Sequence, residues 1–155
     1  MREILRGTGF LLHIPGIMAL VSLPVAAWAD EGWALANLLF TAALALAAGQ
    51  GLVWSSRGAG GFQRYQSMLI AALSWVLIAV IGALPLWLAA QAPAAMAGAA
   101  ISFHTPAHAL FESVSGFTST GLSVVEQAAR LPAHIQWWRS LSQWVGGIGV
   151  ILLLL

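Results

Sequence analysis

Apolar residues fall in long, nearly unbroken blocks. The first runs from Phe10 to Ala29, the second from Trp33 to Trp54 and the third from Met68 to Ala90. A fourth begins at about Ile135 and is still apolar at Leu155. About 20 apolar residues carry a helix across a bilayer, so each block predicts a membrane-spanning helix. The first is interrupted by His13, Pro15 and Pro24, which predicts a kink. It also ends Ala27-Trp28-Ala29 before Asp30, behind Arg2 and Arg6, in imitation of a leader-peptide cleavage site. The run is longer than a leader's apolar core, and a retained helix is expected. Gly49 and Gly51 near the end of the second block read as close-packing positions, and Pro85 lies one turn before the end of the third. Between the second and third blocks lies the clearly hydrophilic linker SSRGAGGFQRYQS, residues 55–67. Gln91 to Phe103 and Val124 to Ala133 read as loops.

A different pattern occupies Thr105 to Ser123, TPAHALFESVSGFTSTGLS. Thr105 is suited to cap a helix and Pro106 to begin one, because the first helical N–H needs no partner. The helix is expected over 106–116, with Gly116 closing it. At about 1.5 Å per residue it reaches roughly 16 Å, half a bilayer. It can enter a membrane but not cross it. The run that follows, residues 117–123, is rich in hydroxyls and too polar to face lipid. The pattern is that of a re-entrant loop.

Composition supports the membrane reading. Of 155 residues 60% are hydrophobic and 7% charged; a soluble domain carries about 25% charged residues. Of eight tryptophans, Trp28, Trp33, Trp54, Trp87, Trp137 and Trp138 fall near predicted boundaries, as in interfacial belts. With no cysteine there is no thiolate metal site or disulfide. The arginines are scattered in a chain of net charge +1, and no nucleic-acid partner is expected. Charge also orients the helices. With a cytoplasmic N-terminus, Arg2, Arg6, Arg57 and Arg64 lie inside, while Asp30, Glu31, Glu126 and only Arg130 lie outside. The short helix then dips in from the outer face.

A desolvated cation needs oxygens in place of water, and backbone carbonyls supply them without fixed charge. A short helix pointing its C-terminus at the loop adds the negative end of its dipole. Thr118, Ser119 and Thr120 can brace such a loop, and Gly121 permits unusual backbone angles. On the residues alone, a pore loop and a plain polar loop both remain open.

The run ALFESVSGFTSTGLSVV from Ala109, followed by LPAHIQWWRSLSQWVGGIGVILLLL from Leu131, resembles the first pore repeat of the Trk/Ktr/HKT superfamily of potassium transporters. It is most similar to the bacterial Trk-type membrane subunit. SMLIAALSWVLIAVIGALPLW, with GALP at Gly82 to Pro85, resembles the first helix of that repeat, and the first two blocks resemble the extra N-terminal hairpin, with IPGIMAL at Ile14 to Leu20. The resemblance implies an all-α integral membrane fold with four tandem helix–pore-helix–helix repeats around a pseudo-fourfold pore. It divides the chain into a hairpin (1–54), a cytoplasmic linker (55–67) and the first repeat (68–155), whose last helix, 135–155, is incomplete. It implies K⁺ as the transported ion, without a bound cofactor, and a filter strand of Thr118, Ser119, Thr120, Gly121 and Leu122. Backbone carbonyls of Thr118, Ser119, Thr120 and Gly121 would meet K⁺, with Gly121 as the filter glycine. The remaining three repeats, a homodimer of complete subunits, a cytoplasmic nucleotide-binding regulatory partner and the bacterial inner membrane are further implications. One repeat cannot enclose an ion, so the chain reads as the N-terminal part of a longer protein, unless four copies assemble.

Several residues invite different chemistry. Glu112, an acid within the short helix, is expected to pair with Arg139 and brace the pore helix, with Gly116 as further support. His104 and His108 are spaced by four, but His104 precedes the cap, so two separate histidines are expected rather than a zinc site. His13 reads as a packing residue and His134 as interfacial. Gly146, Gly147 and Gly149 predict close packing against the pore region. Ser113, Ser115 and Ser119 near His108 and His134 raise an intramembrane serine hydrolase, but the G-x-S-x-G pattern is absent and no enzyme is expected. A noncatalytic membrane subunit or a nonfunctional fragment would also fit the apolar pattern.

Overall fold

The computed structural model describes residues 1–58 and 64–154, with the backbone alone at 64 and 150–154. Among the described residues the fold is entirely helical. The first apolar block forms two helices, α1 (Arg2–Leu11) and α2 (His13–Trp28). The break has a local cause. Pro15 offers no N–H to the carbonyl of Leu11 and crowds it, so the helix yields at Leu12. The His13 ring meets the Gly9 carbonyl at 2.8 Å, the satisfied packing role expected of it. Pro24 is absorbed within α2.

A turn with Asp30 at φ +55° leads through a 3₁₀ segment (Gly32–Ala34) into α3 (Leu35–Ser55), which packs along α1 and α2. Gly49 sits hard against the Gly9 carbonyl, whereas a Cβ on Gly51 would meet nothing within 4 Å among the described residues. Helix α4 (Arg64–Ala90) begins inside the expected linker, part of which, residues 59–63, lies outside the described residues. Arg2–Trp28, Gly32–Ser55 and Tyr65–Ala90 are each long and apolar enough to cross a membrane.

The expected loop over 91–103 is instead α5 (Ala94–Ala97) and a 3₁₀ segment (Gly98–Phe103). Its alanines are small and uncharged, and Ala97, Ala100 and Phe103 bury themselves against the bundle. Helix α6 spans Pro106–Phe117, one residue longer than expected, and α7 spans Ala133–Leu154 after a short 3₁₀ turn (Ala128–Arg130). At about 1.5 Å per residue α7 extends roughly 33 Å. One apolar core joins Leu86, Phe103, Phe117, Ile135 and Trp138.

Two residues near predicted boundaries are buried within the protein. Trp28 and Trp54 are exposed, but Trp138 is 1% exposed, its indole donating to the Gly82 carbonyl at 3.0 Å. A carbonyl of α4 thus gives the buried indole N–H the partner it needs. His134, expected at the interface, is 2% exposed. The Glu31 carboxylate accepts the N–H groups of Ala133 at 2.6 Å and of His134 at 3.0 Å, and contacts the His134 ring at 2.5 Å. An acidic turn at the foot of α2 thus caps the N-terminus of α7, where the dipole favours negative charge.

Candidate ion-conducting loop

Helix α6 starts as its sequence dictates: Thr105 Oγ1 accepts the His108 N–H at 3.4 Å, and Pro106 opens the first turn. His108 Nδ1 lies 3.0 Å from the Ser102 carbonyl, while His104 ends the preceding 3₁₀ segment; the two do not share a site. One side of α6 docks on α4. Ser113 donates to the Ala79 carbonyl at 2.7 Å, and the Phe117 ring sits against the bare Cα of Gly82. On the other side Gly116 abuts Ser142 of α7. Gly116 therefore lies inside the helix as a close-packing residue and does not close it.

Closure occurs two residues later. Thr118 is the C-cap, Ser119 takes φ +54°, and the N–H groups of Ser119 and Thr120 return to the carbonyls of Gly116 (2.9 Å) and Ser115 (3.0 Å). This is a Schellman ending with serine where glycine is usual. A left-handed non-glycine residue costs about 1–2 kcal/mol. The Ser119 hydroxyl offsets part of that by donating to the Gln143 carbonyl of α7 at 3.0 Å.

From there the loop is anchored at its side chains and its far end. The hydroxyls of Thr118 and Thr120 meet at 2.7 Å. Gly121 has φ +78°, and its α-carbon faces open space. The Leu122 carbonyl accepts from the Ser115 hydroxyl at 2.6 Å. Among the described residues, no donor reaches the carbonyls of Thr118, Ser119, Thr120 or Gly121. Residues 118–121 are exposed.

Glu112 and Arg139 come together as expected, at 2.7 Å between Oε1 and Nε, with the Glu112 side chain 3% exposed. The carboxylate also accepts from the Ser123 hydroxyl (3.0 Å) and the Val124 N–H (3.1 Å). The Ser123 oxygen in turn accepts from Arg139 Nη2 at 3.2 Å and from the Val125 N–H at 3.0 Å. A buried carboxylate held by an arginine, a hydroxyl and a backbone N–H needs no ion to satisfy it. In the sequence Ser123 is only the last hydroxyl of the run 117–123, and nothing in that run marks it as the partner of Glu112.

Helix α7 approaches the loop through its glycines. A Cβ on Gly146 would strike the Phe117 carbonyl and Cα, so α7 packs against the end of α6 backbone to backbone. Gly147 and Gly149 are looser, 3.6 Å from the Ser119 hydroxyl and the Trp75 ring when given a Cβ.

Residues 35–154 match the sequence model of TrkH, described as a cation transport protein. The chain belongs to the TrkH family. It is 32% identical over 157 residues to the Trk system potassium uptake protein TrkH of Halomonas elongata, covering 99% of this chain and 30% of that protein. To the protein of the same name in Escherichia coli K12 it is 33% identical over 141 residues, 90% of this chain and 26% of that one. An uncharacterized cation transporter of Methanocaldococcus jannaschii is 34% identical over 89 residues, 57% of this chain and 16% of its own length. The chain therefore spans less than a third of each of these relatives. The TrkH family is one of transporters, not enzymes, and its membership with the apolar helices makes this a multi-pass membrane protein.

Proposed function

We propose that this chain supplies the first of four filter segments of a potassium uptake subunit, with the carbonyls of Thr118, Ser119, Thr120 and Gly121 lining the ion path. The observation that carries this is the row of four carbonyls, unpartnered among the described residues, on a loop anchored at both ends. A backbone that leaves consecutive carbonyls without donors holds oxygens ready to replace water around a cation. The α6 dipole, roughly half an elementary charge, adds negative potential at the same place. Leu122 closes the segment, one lone pair of its carbonyl being held by Ser115. Glu112, Arg139 and Gly116 support the loop and do not meet the ion.

One segment makes one wall. In this reading three further repeats complete a pseudo-fourfold pore, the hairpin 1–54 precedes the repeat, and the helix 135–155 continues it. The N-terminus is cytoplasmic in a bacterial inner membrane, so α6 enters from the outside. The reading extends to a homodimer of complete subunits and a cytoplasmic nucleotide-binding regulator. Names of the relatives as potassium uptake proteins support the choice of ion. The complete subunit carrying this chain, expressed in bacteria lacking potassium uptake, is expected to restore growth at low K⁺ and to accumulate Rb⁺. Failure of both, with the protein in the membrane, would contradict the proposal.

A further inference from the structure

The last four carbonyls of a helix have no partner within it, so each must find one elsewhere. In α6 three of the four find backbone donors. Val114 accepts from the Thr118 N–H at 2.9 Å, Ser115 from Thr120 and Gly116 from Ser119. The fourth, Phe117, is different. Its carbonyl accepts the indole N–H of Trp75, from the middle of α4, at 2.9 Å. The next four carbonyls, 118–121, are the unpartnered ones. Trp75 thus stands at the boundary between carbonyls the fold engages and carbonyls it leaves free.

The peptide joining Phe117 to Thr118 is enclosed on several sides. Trp75 holds its oxygen, the Val114 carbonyl accepts its N–H, Gly146 of α7 lies against the same oxygen, and the Phe117 ring is pinned at Gly82. Beneath it is a cavity of about 390 Å³, lined by apolar groups including Leu11, Ile14, Ile78 and Val145 together with Trp75 and Phe117. No second donor reaches this carbonyl among the described residues. In such surroundings a carbonyl stripped of its donor must turn toward a new one or bear the cost of being unpaired. Turning it rotates the peptide plane that feeds Thr118.

We infer that Trp75 is a positioning residue for ion selectivity: its indole N–H holds the oxygen end of the Phe117–Thr118 peptide, whose N–H end is held by Val114, and so sets the first free carbonyl of the loop. The inference rests on the filter reading proposed above. It is tested in the complete subunit by Trp75→Phe, which keeps an aromatic ring and removes the donor. K⁺ uptake in competition with Na⁺ is expected to lose selectivity by about three- to tenfold, the scale of one hydrogen bond. Trp138→Phe is the control, since it deletes an indole bond that is more deeply buried and goes to Gly82 of α4, not to a carbonyl at the head of the loop. It is expected to lower the yield of folded protein and leave the K⁺/Na⁺ ratio unchanged. Should Trp75→Phe fail to reach the membrane, 3-benzothienylalanine incorporated at position 75 keeps the bicyclic shape without the N–H. An unchanged ratio in whichever variant folds, or an equal loss in Trp138→Phe, would overturn the inference. A parent subunit without K⁺-selective flux would instead overturn the filter reading itself.

Discussion

The Glu112 carboxylate shows how a charge can belong to a membrane protein's architecture. It is nearly inaccessible, yet Arg139, Ser123 and the Val124 N–H all donate to it, so the strand leaving the loop is tied back to the helix entering it. Taking away one member of a buried pair leaves its partner uncompensated, a loss of about 3–5 kcal/mol. Glu112→Ala is therefore expected to lower the unfolding free energy of the subunit in detergent by about 3 kcal/mol, read from denaturant titration. Arg139→Met added to it should cost much less than the sum of the two single changes. Additive losses would mean the two side chains do not work as a pair. The pair was legible in the sequence because an acid in an apolar helix needs a partner and Arg139 lies one turn into the next span, near the same outer interface. Ser115, Ser123 and Trp75 were not, because their partners are main-chain groups or a carboxylate brought near by folding.

At the scale of elements, the helices follow the hydrophobic blocks, and most boundaries differ by a few residues for local reasons. Pro15 splits the first block, and the Ala-rich stretch after α4 coils in two short pieces, between Pro93 and Gly98 and beyond, because alanine favours helix and the bundle offers it an apolar surface. The end of α6 differs because glycine, the usual closing residue, has a different task here. Gly116 is needed for contact with Ser142, and Ser119 closes the helix with help from Gln143. The three glycines of α7 are also unequal. Gly146→Ala drives a methyl group into the Phe117 carbonyl and is expected to destabilise by about 1–3 kcal/mol, the cost of overpacking a filled contact. Gly147→Ala meets only ordinary van der Waals contact and is expected to be tolerated. Thermal unfolding of the two variants side by side checks this; equal losses would show that helix flexibility, not the α6–α7 contact, sets the requirement.

Across the whole molecule, the N-terminal helices and the loop-bearing unit are fastened by a link that no local pattern announces: Glu31, in the turn after α2, caps α7. Membership of the TrkH family and the membrane-spanning character were legible from composition and from the run at Ala109–Val125. The division of carbonyls into engaged and free was not, since it depends on backbone angles at Ser119 and Gly121, on the Trp75 donor of α4 and on the Gln143 carbonyl of α7 that accepts from Ser119. The central claim concerns those free carbonyls, and Gly121 is the place to test it. Its φ of +78° suits glycine and strains any residue with a side chain. The decisive measurement is the Na⁺/K⁺ flux ratio of the complete subunit carrying Gly121→Ser. A rise in that ratio, with the protein still folded in the membrane, is the predicted result; a ratio equal to that of the parent would contradict the account.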